Sequence, residues 1–176
     1  MKSKRPFAAS GKLTILLAVV LTLQLPSCGI YSFTGASIPP EAKTFSVAQF
    51  SNNAMLVEPL LSNILTTALR DRFTSQTTLR QTTTNGDLSF EGEIIDYSVS
   101  PVAIQSDQTA ALNRLTITLN VRFYNKFEES KNFESRFSQY IDYPSDQDLN
   151  TIKDRLIGEI TEMLIDNIFN KAVVNW

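Results

Sequence analysis

Few residues in this chain are equipped for chemistry. There is one cysteine, Cys28, and no histidine among 176 residues. An intrachain disulfide, a Cys/His metal site and a nucleophile served by an imidazole base all fall away. Three carboxylates crowd the stretch "FEGEIIDYS": Glu91, Glu93 and Asp96. Paired carboxylates can hydrolyse glycosides, but nothing nearby selects an acid or a base, and a solvated strand face shows the same spacing. The six glycines form no phosphate-cradling loop. These observations predict a binding or structural protein rather than an enzyme, with no cofactor and no metal.

Recognition chemistry remains. Arg114, Arg122 and Arg136 stand among Thr, Asn, Ser and Tyr residues, with Tyr124 beside Arg122. Guanidinium forks suit phosphates and carboxylates, so these four side chains predict a polar, locally basic stripe facing lipid phosphate or a protein wall. The plainer alternative is a hydrated sheet face whose charges guard against edge aggregation.

The elements that carry them follow from periodicity. In "LNRLTITLNVRFYNK" (112–126), Leu115, Ile117, Leu119, Val121 and Phe123 alternate with Arg114, Thr116, Thr118, Asn120, Arg122 and Tyr124, a strand with one apolar and one polar face. "NFESRFSQYIDY" (132–143) repeats this, with Phe133, Phe137 and Ile141 inward and Glu134, Arg136, Ser138 and Tyr140 outward. The two predict an antiparallel pair. "DLSFEGEIIDYSV" (87–99) switches parity between Ile94 and Ile95, which predicts a bulge or a strand covered on both faces near its end. Asn85-Gly86 predicts a type I′ hairpin turn joining it to "TLRQTTT" (78–84).

"KTFSVAQF" (43–50) reads as a further strand. "EPLLSNILTTALRDRF" (58–73) reads as a helix with Pro59 in its first turn, and its stripe is Leu60, Leu61, Ile64, Leu65, Ala68, Leu69 and Phe73. A second, longer amphipathic helix runs from Ser145, whose spacing to Asp148 resembles a capping box, to about Val174. The expected fold is α+β: a two-layer sandwich in the order β-α-β-β-β-β-α, with two helices on one face of a small mixed or antiparallel sheet.

Residues 1–27 hold four basic residues and no acidic one, and the apolar run Leu13–Leu25 follows them. Thirteen residues at about 1.5 Å each reach about 20 Å, short of a hydrocarbon core of about 30 Å, so the segment reads as an export signal rather than an anchor. It ends in "LPSC", which resembles a bacterial lipobox with Leu25, small Ser27 and then Cys28 as the lipid-accepting nucleophile. Cys28 is therefore the expected attachment point of a covalent lipid and the expected first residue of the mature chain. Two or more acyl chains there would hold a membrane stably. Gly29 is not Asp and no acidic run follows, which points to the periplasm-facing inner leaflet of an outer membrane.

Residues 28–42 form the lipidated tether, and its Tyr31 and Phe33 are apolar enough to dock on the domain or a partner. Residues 43–176 form a single α+β domain. Without residues 1–27 the chain keeps 12 basic and 18 acidic residues, a balance unsuited to nucleic-acid binding.

"CGIYSFTGASIPP" (28–40), "TAALNRLTI" (109–117) and "FNKAVVNW" (169–176) resemble the LptE family of lipopolysaccharide-assembly lipoproteins. The resemblance covers essentially all of the mature chain. It implies two helices on a small mixed sheet, tethered to the inner leaflet of the outer membrane. It also implies a plug in the lumen of the LptD β-barrel that assists barrel assembly and contacts lipopolysaccharide. In the family, basic residues at one sheet edge are associated with that contact, and Arg114, Arg122 and Arg136 are candidates for it by composition. The competing expectation is a periplasm-facing lipoprotein that acts as assembly or pilot factor for another envelope complex.

Overall fold

The computed structural model describes residues 37–102 and 111–174. The export signal, Cys28, Tyr31 and Phe33 lie outside the described residues, and so does the chain end at Trp176.

Strict alternation makes β5 (Leu112–Asn125) the spine of the sheet. Leu115, Ile117, Leu119, Val121 and Phe123 are fully buried, while the residues between them face out. β4 (Leu88–Val102) and β6 (Phe133–Pro144) flank it antiparallel, β6 in one continuous register and β4 with one shift. A single 3₁₀ turn, Glu129–Lys131, leads from β5 to β6. On the other side of β4, β1 (Thr44–Val47) and the two-residue β2 (Ser51–Asn52) pair with it in parallel. The two-residue β3 (Arg80–Gln81) pairs in parallel with β1. The sheet is open and mixed, in the order β3-β1-β4-β5-β6, with β2 also on β4.

Its apolar face is covered by α1 (Leu61–Gln76) and α2 (Leu149–Val173). Leu61, Leu65, Leu69 and Phe73 form the buried stripe of α1; Leu156, Ile160, Leu164 and Ile168 lead that of α2. Phe73 joins the two layers, its ring centroid lying 5.4 Å from Phe45, 4.8 Å from Phe90 and 5.0 Å from Phe169. Stacking then continues across the sheet through Phe123 to Phe133. Burying each such ring stabilises by about 1.5–3 kcal/mol. This is the expected two-layer α+β sandwich.

The switch of parity in β4 is a bulge: the register shifts between Ile94 and Asp96. One extra residue returns Tyr97 and Val99 to the face that holds Leu88, Phe90 and Ile94, opposite Ile117 and Leu115.

Several local expectations are corrected. The strand expected at 43–50 shortens to β1, Thr44–Val47, and pairing with β4 resumes only at Ser51 in β2, after the buried Phe50. The first helix starts at Leu61, and Leu60 is 64% exposed rather than part of the stripe. The cap of α2 is Asp148, not Ser145: its Oδ1 accepts from the Asn150 backbone N–H at 3.0 Å.

Asn85-Gly86 does not close a hairpin. β3 and β4 are not paired, because β1 lies between them. Asn85 has a φ of 53°, but no described glycine has a positive φ. Gly86 is needed for proximity instead: a Cβ there would press on the backbone of Phe45 and Ser46 in β1. Its N–H donates to Ser46 Oγ at 3.1 Å.

Candidate partner-binding face

The side of the sheet away from the helices is uncovered by any described element, and its residues are set by strand register. Along β5 it carries Arg114, Thr116, Thr118, Asn120, Arg122 and Tyr124, as the alternation predicts. β6 adds Glu134, Arg136, Ser138, Tyr140 and Asp142, and β4 adds Ser89, Glu91, Glu93, Asp96 and Ser98. All four side chains singled out in the sequence lie on this one face.

The expected basic stripe is not what the pairing produces. Arg114 stands opposite Asp142 and donates to both its oxygens, from Nε at 2.7 Å and Nη2 at 2.9 Å. Its guanidinium also stacks 3.7 Å above the Tyr140 ring. Arg122 stands opposite Glu91 and reaches both Glu91 (3.1 Å) and Glu93 (3.0 Å). The hydrogen bonds hold Asp142 below the usual carboxylate range and push both guanidiniums higher still. Arg136 alone of the three has no ion pair among the described residues, while its neighbour Asn120 donates to Glu134 at 2.7 Å.

Five carboxylates (Glu91, Glu93, Asp96, Glu134, Asp142) therefore face three arginines, and the surface is net acidic: Glu91, Glu93 and Asp142 are ion-paired, while Asp96, Glu134 and Arg136 have no ion pair among the described residues. The solvated-face reading of Glu91, Glu93 and Asp96 fits this placement, and Asp96 accepts only a local bond from Ser98 Oγ at 2.8 Å. Asp142 went unnoticed in the sequence because its partner lies 28 residues away, and only the β5–β6 register reveals the match.

Tyr124, 44% exposed, closes one end of the face. It lines an open cavity of about 420 Å³ together with Asn85, Asp87, Ser89, Lys126 and Asn132. Asp87 is already spent inside the fold. Its Oδ2 accepts from the backbone N–H groups of Lys43 (3.0 Å) and Thr44 (3.1 Å) and from the Thr44 hydroxyl (2.8 Å). At the opposite end of the molecule, the loop before α1 exposes Met55, Leu56, Val57 and Leu60. Its one charge, Glu58, is turned to Lys153 at 2.9 Å.

Among the described residues, no group of three His, Cys, Asp or Glu side chains could hold a metal ion, and no helix is long and apolar enough to cross a membrane. What the face offers is hydrogen bonding and charge, partly paired, from three adjacent strands.

Solved structures with a related outline are distant. A minor lipoprotein from Acinetobacter baumannii is 12% identical with a TM-score of 0.47, covering 75% of this chain and 96% of its own. Protein CT253 from Chlamydia trachomatis is 10% identical with a TM-score of 0.47, covering 76% and 99%. Lipoprotein GNA1162 from Neisseria meningitidis is 12% identical with a TM-score of 0.40, covering 73% and 99%. Curated protein sequences give no match.

The family model for LptE, lipopolysaccharide-assembly, matches residues 42–172. That span runs from the residues just before β1 to the last turn of α2 and takes in every strand and helix described above. The chain belongs to the LptE lipopolysaccharide-assembly family, a family of accessory lipoproteins associated with the outer membrane rather than of enzymes.

Proposed function

We propose that this protein is the LptE-type plug of an LptD-like β-barrel, aiding barrel assembly and the delivery of lipopolysaccharide to the cell surface. The observation that carries the reading is the uninterrupted polar face of β4, β5 and β6, in a chain of the LptE family. A barrel lumen is lined with polar side chains, so a plug must present hydrogen-bonding groups over a large outer area. At about 3.3 Å per residue, the 14 residues of β5 extend about 46 Å, longer than the apolar band of about 25 Å that such barrels show.

In this reading, a lipid on Cys28 holds the chain at the inner leaflet of the outer membrane, and Tyr31 and Phe33 seat the tether against the barrel or the domain. Arg122, Tyr124 and Arg136 are the contact residues. Arg136, with no ion pair among the described residues, is the residue placed to take a lipopolysaccharide phosphate or a lumen carboxylate. Arg114, stacked and doubly bonded, serves the surface more by shape.

Purification of the lipidated chain from detergent-solubilised outer membranes tests this. A large barrel protein is expected in stoichiometric amount. Recovery without one overturns the plug, and unchanged surface lipopolysaccharide after depletion points instead to a pilot factor of another envelope complex.

A further inference from the structure

We infer that β6 is a self-association strand: its open edge pairs antiparallel with β6 of a second copy, in a register centred on Gln139. The free groups of this edge can be identified. The Ser145 N–H donates to the Ala111 carbonyl at 3.0 Å, which makes this a hydrogen-bonded pair of the antiparallel ladder. The β5–β6 register continues from it without a break, so Tyr143, Ile141, Gln139, Phe137 and Ser135 spend their backbone groups on β5. Asp142, Tyr140, Ser138, Arg136 and Glu134 therefore point theirs outward, where no described strand meets them.

Open edges are commonly blunted by a bulge, an internal proline, charged side chains (lysine above all) or an inward charge. β6 has no bulge, lysine or inward charge, and its one proline is its last residue, Pro144; its charges, Glu134, Arg136 and Asp142, lie on the outer face, where opposite signs can pair between two copies. The other edge of the sheet, β3, is only two residues long.

Side-chain chemistry selects the partner and the register. Centred on Ser138, self-pairing sets Glu134 against Asp142 of the second copy. Centred on Arg136, it sets two guanidiniums together. Centred on Phe137, it gains no ion pair. Centred on Gln139, it places Arg136 opposite Asp142 of the second copy, and by symmetry does so twice. Ser138 then meets Tyr140, and on the inner face Phe137 meets Ile141. This register uses the one arginine of the face that lacks an ion pair among the described residues. Asp142 already binds Arg114, but each of its oxygens keeps a second lone pair. The inner-face pairs would also cover Ile141, which is only partly buried at the margin of the core.

The full chain, purified in detergent, tests this by sedimentation and by cysteine cross-linking, with the unsubstituted chain as the control for Cys28. Gln139 would face its own copy in a non-hydrogen-bonded pair, the close-approach position of an antiparallel ladder. Gln139→Cys is expected to give a dimer linked 139 to 139 by peptide mass mapping, and Ser138→Cys is expected not to link to itself. Arg136→Glu turns two attractive cross-strand pairs into repulsive ones and is expected to weaken dimerisation about tenfold, with its thermal unfolding unchanged. A chain that sediments as a monomer at every concentration, a link at 138 in place of 139, or dimerisation indifferent to Arg136→Glu each overturns the inference. Barrel co-purification is read separately, on the unsubstituted chain, because Arg136 is also a proposed barrel contact.

Discussion

The ring of Phe50 lies flat against the bare Cα of Gly92, so close that a Cβ on Gly92 would fall well inside 3.0 Å of three ring carbons. Phe50 cannot retreat: it is buried, its N–H donates to Thr66 Oγ1 at 3.1 Å, and its carbonyl accepts from the Ser62 hydroxyl. This contact ties the break between β1 and β2 to the middle of β4 and to the start of α1. Gly92→Ala is expected to destabilise the fold by about 1–3 kcal/mol through overpacking, although alanine usually suits a strand better than glycine. Urea unfolding of the single variant and of Gly92→Ala with Phe50→Leu checks it. The second substitution should recover part of the loss, and additive effects would show that the ring and the glycine do not act together.

Asp87 is the acid-sensitive clamp between β1 and β4. Hydrogen bonds from the Lys43 backbone and from Thr44 hold its carboxyl below the ordinary value of 3.8, and the Arg114 hydrogen bonds do the same for Asp142. Both groups bind protons more weakly folded than unfolded, so their contribution is complete above the unfolded value and fades as pH falls through the lowered folded ones. The urea midpoint is expected to stay flat from pH 7 to 5 and to fall below about pH 4. Asp87→Asn should lower stability at pH 7 and flatten the acid limb. An unchanged limb would mean that Asp87 is not a source of it.

Thr161 carries a hydroxyl buried in α2 with no hydrogen-bond partner among the described residues. Valine has the same branched shape and no polar atom to leave unsatisfied. Thr161→Val is expected to raise stability by about 0.5–1 kcal/mol, read as a higher thermal midpoint. A loss would show that the hydroxyl is bonded in solution.

Arg122 separates folding from function. Its ion pairs with Glu91 and Glu93 are partly exposed, and such pairs add little to stability. Arg122→Ala should unfold within a degree or two of the parent. Arg122→Glu combined with Tyr124→Ala should reduce barrel co-purification severalfold if this face meets the lumen wall. Full recovery of a barrel with both changes in place would move the contact elsewhere on the molecule.

Much of this architecture is legible in the chain itself. β5 and both helical stripes follow from spacing alone, since burial of one face imposes a period of 2 or 3.6 on the residues that build it. The parity switch at Ile95 leaves β4 either bulged or covered on both faces, and the register shift decides for the bulge. The single cysteine and the absent histidine restrict the chemistry without any structure. Tertiary structure decided what spacing cannot encode. β1 enters the sheet beside β4, more than 40 residues away in sequence, through the register Phe45 to Leu88, so Gly86 serves proximity rather than a turn. Arg114 and Arg122 look like free cations in the sequence, but strand register delivers Asp142, Glu91 and Glu93 to them. Alternation is a local property and tells which face a side chain takes; which charge stands opposite it depends on non-local pairing, and that pairing left Arg136 as the one arginine of the face with no ion pair among the described residues.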